Sequence, residues 1–218
     1  MKYKYGIGVM SKNIVDACIQ FSNNYGSSWT NLTPASSLYK VSMSASGQYI
    51  TIVQQQGSIY TSSNFGSSWN QVVSSNLFTS NYYSSVSVSA SGKYQSVAFN
   101  YSNYNASIAI SSDYGVTWSV PGPLWSTSSS GGISIAVSAS GQFQTIVSPG
   151  NLCFVSSNYA ASFTQVSLAT GSGSCSVAMS ASGQYQTAVV TSNTNIVFNS
   201  SNYGVTWTQN TNSSGPWW

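Results

Sequence analysis

Side chains able to carry chemistry are scarce in this sequence. Of its 218 residues only two are acidic and five basic, and there is no histidine. The acids are Asp16 and Asp113; the bases are Lys2, Lys4, Lys12, Lys40 and Lys93, so arginine and glutamate are absent as well. Glycoside hydrolysis ordinarily takes two carboxylates flanking the scissile bond, and Asp16 and Asp113 are the only pair the chain offers. A Ser–His–Asp relay cannot be assembled without histidine, and nothing in the sequence prepares a lysine nucleophile. Cys18, Cys153 and Cys175 stand at no metal-binding spacing. The expectation is a chain that is not an enzyme and holds neither cofactor nor metal.

Charge also limits the partners. Charged residues make up 3% of the chain, against about a quarter in an ordinary soluble domain. The net charge of +3 comes from five thinly spread lysines. Phosphate-backbone binding requires clustered Lys or Arg, so neither nucleic acid nor an anionic membrane is an expected partner. No apolar run approaches the roughly 18 residues of a membrane span. The segment from Met1 through Lys12 makes a poor signal peptide. Hydrophobic residues, 41% of the total, are enough for a substantial core.

Two motifs recur along the chain. Ser44-Ala45-Ser46-Gly47-Gln48-Tyr49 returns at Ser89–Tyr94, Ser138–Phe143 and Ser180–Tyr185. A second motif, Ser22-Asn23-Asn24-Tyr25-Gly26-Ser27-Ser28-Trp29, returns at Ser62–Trp69, Ser111–Trp118, Ser156–Phe163 and Ser200–Trp207. A repeat in the forties containing several short strands is the pattern of propeller blades. Within each unit the period is two: Val41/Met43, Val86/Val88, Ile135/Val137 and Val177/Met179 alternate with small or polar residues. Ser-Ala-Ser-Gly makes a tight turn to a second strand, a variable loop leads to a third, and the second motif leads to a fourth. Cys153 occupies the third-strand position filled by Ile59, Ile108 and Val197, as a small buried apolar residue. The sequence thus predicts an all-β, five-bladed β-propeller of four-stranded antiparallel blades. It is a single domain over 1–218, with repeats near 1–35, 36–78, 79–127, 128–170 and 171–218. Lys4–Val9 aligns with a second strand, so the first repeat lacks its own first strand. The tail Gly215–Trp218 is expected to help fill that place.

Ser111-Ser112-Asp113-Tyr114-Gly115-Val116-Thr117-Trp118 resembles the Asp-box, or bacterial neuraminidase repeat, of sialidase-like propellers. The resemblance runs through all five copies, and the repeats also resemble those encoded by large DNA viruses of protists. It implies that Asn24, Asn64, Asp113, Asn158 and Asn202 are structural residues of outer turns between third and fourth strands. Four copies carry Asn at the acidic position, which retains the carbonyl acceptor. Sialidases of this class hold the substrate carboxylate with three arginines and use a tyrosine assisted by glutamate. This chain has no arginine and no glutamate, so the resemblance here implies a propeller without catalysis.

Function is then expected on the loops joining second to third strands and fourth to next first strands, which vary while the opposite turns repeat. These loops hold Phe78, Tyr82, Tyr83, Tyr101, Tyr104 and Trp125 among Ser, Thr and Asn. Such rings suit the apolar face of a sugar; they equally suit a protein contact or a plug for the central channel. A surface this poor in charge lacks repulsion against association. The leading expectation is a structural or interaction module in a shell, fibre or array, at a virion or extracellular surface; the alternative is a lectin-like glycan binder. The partner is protein, including self-assembly, or glycan.

Overall fold

The structure, a computed structural model, describes residues 6–10, 18–32, 37–55, 57–72, 82–100, 105–121, 125–126, 132–150, 152–168, 174–191 and 196–210. These form an all-β chain of five antiparallel sheets, each a simple meander. The first sheet holds β1 (Gly6–Met10), β2 (Cys18–Ser22) and β3 (Thr30–Leu32). The second holds β4 (Leu38–Met43), β5 (Ile50–Gln54), β6 (Ile59–Ser62) and β7 (Asn70–Gln71), and the third β8 (Tyr82–Val88), β9 (Gln95–Asn100), β10 (Asn105–Ser111) and β11 (Trp125–Ser126). The fourth holds β12 (Ser134–Val137), β13 (Gln144–Ser148), β14 (Leu152–Ser156) and β15 (Thr164–Ser167). The fifth holds β16 (Cys175–Met179), β17 (Gln186–Val190), β18 (Ile196–Ser200) and β19 (Thr208–Asn210). Among the described residues the first sheet has three strands where the others have four, and its β1 pairs with the strand entering its box as β5, β9, β13 and β17 do.

The core lies between sheets. Successive sheets pack through their inner strands: β1 on β4, β4 on β8, β8 on β12 and β12 on β16. Each junction has its own apolar cluster. Ile19, Leu38, Ile50 and Ile52 join the first two sheets; Val53, Ile59, Tyr83, Val97 and Phe99 join the second and third. Ala98, Ile108, Ile135, Ile146 and Phe154 follow at the next junction; Val147, Cys153, Leu168, Ala188 and Phe198 complete the series. Burying one such Leu, Ile or Phe stabilises by about 1.5–3 kcal/mol. Because strand residues alternate in direction, the second strand of an inner sheet serves two cores at once. Accordingly β9 and β13 are almost wholly buried, whereas in β17 the exposed Thr187 and half-buried Val189 alternate with buried residues. Among the described residues, packing of this kind joins first to second through fourth to fifth, and not fifth to first. The expected role of Gly215–Trp218 lies outside the described residues.

Polar contacts repeat at the junctions. Thr51 Oγ1 donates to Gln95 Oε1. Ser96 Oγ donates to Gln144 Oε1 at 2.7 Å, and Thr145 Oγ1 to Gln186 Oε1 at 2.7 Å. Each glutamine amide in turn donates to the carbonyl of its own turn glycine, Gly92, Gly141 or Gly183. The turns link directly as well: Ala45 N–H donates to Ala90 O, Ala90 to Ala139 and Ala139 to Ala181. The turn glycines have φ of 82°, 84° and 79° at Gly92, Gly141 and Gly183, and the aromatic ring of the preceding sheet's turn lies over each. A Cβ on Gly141 would run into the Tyr94 ring. Gly141→Ala is therefore expected to cost about 2–5 kcal/mol, from a left-handed dihedral and a displaced ring together. Gly132→Ala, with nothing within 4 Å of the added carbon, should leave the urea midpoint essentially unchanged.

Candidate functional site

The five box motifs each join the strand pairs β2–β3, β6–β7, β10–β11, β14–β15 and β18–β19. The chain reverses there through two successive left-handed residues. At Tyr114 and Gly115, φ is 65° and 84°; Tyr25, Phe65, Tyr159 and Tyr203 repeat the first value within a few degrees. The fourth copy has Ala160 in place of glycine, buried and with φ of 65°, a conformation that costs an L-residue roughly 1–2 kcal/mol. The opening serine ties each turn together. Ser111 Oγ donates to Asp113 Oδ1 at 2.8 Å and accepts the Gly115 N–H at 2.9 Å; Ser22, Ser62, Ser156 and Ser200 make the same pair of bonds.

Asn24, Asn64, Asp113, Asn158 and Asn202 all sit inside these turns. Their Oδ1 atoms accept the backbone N–H four residues on, at 2.9 Å for Asp113 and Asn202, with matching bonds in the other three copies. The second side-chain atom separates the two residue types. Asn24, Asn64, Asn158 and Asn202 donate from Nδ2 to Ser28, Ser68, Ser162 and Thr206. At Asp113 the direction reverses, and the Thr117 hydroxyl donates to Oδ2. Both carboxylate oxygens are thus committed to the turn.

The meander places the Ser-Ala-Ser-Gly turns and the boxes at one end of the sheets and the variable loops at the other. At the loop end, Phe78, Tyr101 and Tyr104 lie outside the described residues. Trp125 opens β11 opposite Ala106, and only its backbone is described. Tyr82 opens β8 opposite Asn100 with its side chain 48% exposed. Tyr83 is a correction: it is 1% exposed and its ring meets Phe99 edge-on at 5.9 Å in the core between the second and third sheets. Strand alternation sends Tyr82 outward and Tyr83 inward, which their shared place at a loop edge conceals. Of the six candidate rings, only those of Tyr82 and Tyr83 are described, and they leave β8 on opposite sides.

Sequence reasoning missed a set of paired rings at the opposite end. Tyr49 lies 4.7 Å from Tyr114, Tyr94 4.6 Å from Tyr159 and Phe143 4.3 Å from Tyr203, centroid to centroid. Each pair joins the turn of one sheet to the box of the next. The available signal was an aromatic at the last place of every Ser-Ala-Ser-Gly hexad and at the fourth place of every box. Beside these rings, a cleft of about 500 Å³ separates the second sheet (Thr61, Ser62, Gln71) from the third sheet's box (Tyr114, Thr117, Trp118). A smaller one of about 190 Å³ lies between the fourth and fifth sheets. Their polar lining is neutral, suited to hydrogen bonding and not to proton transfer.

The box tryptophans are only partly covered. Trp118 and Trp207 donate from Nε1 to Gly115 O and Gly204 O at 3.1 and 2.8 Å and pack against their junction cores, whereas Trp29 is 46% exposed. Cys153 is fully buried, and the Cys175 sulfur lies 3.0 Å from both Gly132 O and Val147 O, which share its one thiol proton. Burial pushes both thiols up to about 12, so neither is a thiolate near neutrality. Among the described residues no three His, Cys, Asp or Glu side chains cluster.

Burial pushes the Asp113 carboxyl up, but hydrogen bonds from the Thr117 hydroxyl and N–H, from Ser111 and from Val116 outweigh it, leaving the group below its ordinary 3.8. A folded value below the unfolded one adds stability above the unfolded pKa that is lost as pH falls through the folded one. Relative to Asp113→Asn, the natural chain should therefore lose stability on acidification below about pH 4, read from thermal melts across pH. At neutral pH, Asp113→Ala should cost about 1 kcal/mol, and Asp113→Asn should recover most of it.

Residues 59–72, spanning β6, the second box and β7, match the BNR-Asp box repeat. A comparison with curated protein sequences finds no match. Solved structures share the fold. An ancestral GH74 enzyme superposes with a TM-score of 0.70 at 14% identity, over 97% of this chain and 30% of that one. The Myceliophteria thermophila Cps50 (Swd1) beta-propeller domain gives 0.63 at 12%, over 90% of this chain and 62% of that one. Ycf48 from Cyanidioschyzon merolae gives 0.57 at 17%, over 91% and 67%. The chain spans about 30% of the length of the GH74 structures with which it aligns from Niastella koreensis and from the ancestral enzyme. The chain thus carries a BNR-Asp box repeat on a fold shared with β-propellers.

Proposed function

We propose that this chain is a non-catalytic interaction module whose five sheets are five blades of a BNR-type propeller, serving in assembly of a larger shell, fibre or array. The observation that carries the reading is how Asp113, the only carboxylate side chain among the described residues, is used: both of its oxygens bind the turn that contains it. Support also comes from the surface. Lys40 and Lys93 are the only described residues with a cationic side chain, and each ammonium lies over a neighbouring tyrosine ring, Tyr39 or Tyr94, within 5.4 Å. Exposed apolar side chains, among them Tyr25, Val116, Tyr185 and Val205, stand in a field of Ser, Thr and Asn. Such a surface offers contact area with little electrostatic penalty against association.

Glycan binding at the loop end is a second reading, favoured by the outward ring of Tyr82. The two readings separate experimentally. Light scattering after size exclusion should show concentration-dependent assembly, or capture of a protein partner, with no signal on a glycan array. Sugar binding by a monodisperse monomer, weakened more than tenfold by Tyr82→Ala at unchanged Tm, would establish the glycan binder instead. Turnover of any glycoside by the purified chain would overturn the non-catalytic reading.

A further inference from the structure

The fifth sheet is built as the first half of another junction. Strand register fixes which residues correspond: Ser176, Ala178, Thr187 and Val189 stand where the fourth sheet has Ser134, Ala136, Thr145 and Val147. In the fourth sheet these side chains face the fifth and are put to use. Ser134 Oγ accepts the Val177 N–H at 3.1 Å, Thr145 reaches Gln186, and Ala136 and Val147 belong to the shared core. In the fifth sheet the same residue types recur, yet Ser176, Ala178 and Thr187 are exposed. Thr187 Oγ1 turns back to Asn199 Oδ1 of its own sheet at 2.9 Å. A face meant only for water has no reason to keep this sequence.

The ends of the sheet show the same half-made arrangement. Tyr49, Tyr94 and Phe143 each lie against the next sheet's box ring and turn glycine. Tyr185, their counterpart, has neither partner among the described residues and is 59% exposed. The Ala45, Ala90 and Ala139 amides each donate to the next turn, a bond that the Ala181 amide does not make among the described residues. The groove along this face, about 530 Å³, is walled by Ser200, Ser201 and Thr208. The grooves between inner sheets have the equivalent wall, Ser62, Ser63 and Asn70 or Ser156, Ser157 and Thr164, and a second wall made by the next sheet's box.

The residue opposite the box serine states what the missing wall must carry. In the third, fourth and fifth sheets it is Gln95, Gln144 and Gln186, the acceptors for the preceding Thr or Ser. In the first sheet it is Gly6, opposite Ser22, which has no side chain to accept from Thr187. Neither this chain's first sheet nor that of a second copy supplies the complement.

We propose that the outer face of the fifth sheet docks a further repeat of the third-to-fifth-sheet kind, supplied from outside residues 1–218. That repeat brings a left-handed turn glycine over Tyr185, a box tyrosine to stack on the same ring, and a glutamine opposite its box serine to accept from Thr187. The inference names the surface through which the interaction module would assemble, and it rests on that reading for its biological sense only.

The test uses the full chain and two longer versions, one with a second copy of residues 169–210 inserted after Asn210 and one with a copy of residues 127–168 placed there. Hydroxyl-radical footprinting reads the oxidation rate of Tyr185 against that of Tyr49 in the same sample. In the natural chain at low concentration Tyr185 should react several-fold faster than Tyr49. An inserted repeat should bring the two rates together and raise Tm. Tyr185→Ala should leave Tm unchanged in the natural chain and lower it in the longer ones. If neither insertion protects Tyr185, the proposal is wrong. Protection already present in the monomeric natural chain would assign the face to the chain's own residues. Protection that grows with concentration alongside a dimer mass would assign it to a second copy; either result overturns the proposal. A glycosidase activity would retire the non-catalytic reading and leave these rates untouched, so the two failures are distinguishable.

Discussion

From the second sheet onward, an aromatic ring set over a glycine joins each sheet to the next. The ring of Tyr94 occupies the space where a Cβ on Gly141 would lie, and Tyr159 of the next box packs on the same ring. The glycine is needed twice, for its left-handed dihedral and for the absence of a side chain beneath the ring. Edge and offset contacts between rings add to the area they bury. The rest of the junction follows from this placement: once the turns are in contact, alanine amides reach the next turn's carbonyls and the second strands come within reach of one another's side chains.

Neutral hydrogen bonds do here what ion pairs do on many protein surfaces. Gln95, Gln144 and Gln186 are buried, and each both accepts from the preceding sheet and donates to its own turn. A buried amide left unsatisfied would cost about 1–3 kcal/mol, so these glutamines select a complementary neighbour as well as adding stability. The selection is absent at the first junction, where Ile50 stands opposite the box serine and belongs to the apolar core. Sheets of one general repeat are thus not interchangeable at their faces.

The boxes show how an acidic motif becomes independent of charge. The carbonyl of Asn accepts from the same serine and the same backbone N–H as the carboxylate does. Only the remaining atom changes, from acceptor to donor, and a rotatable Ser or Thr hydroxyl meets either. Loss of the carboxylate in four of five boxes therefore leaves the turn intact. The motif is a backbone device, with both oxygens of its one carboxylate engaged in the turn.

How much was legible in the sequence varies with the range of the interaction. The all-β class, the repeats and the box turns are written in local periodicity and in residues a few places apart, such as Ser111 and Asp113. The shortage of acids, and with it the expectation against catalysis, needed only composition. The rings that join the sheets were not recognised, although both positions repeat in the sequence, because Tyr49 and Tyr114 meet only once two strand registers and a sheet-to-sheet packing are set. The same holds for Tyr82 and Tyr83. Neighbours at a loop edge are equivalent by composition, and it is the course of β8, with its register shift between Tyr83 and Ser85, that leaves one exposed and buries the other. Tertiary structure alone decided which face of the fifth sheet stays open, since Thr145 and Thr187 are the same residue in the same motif and differ only in whether another sheet lies against them.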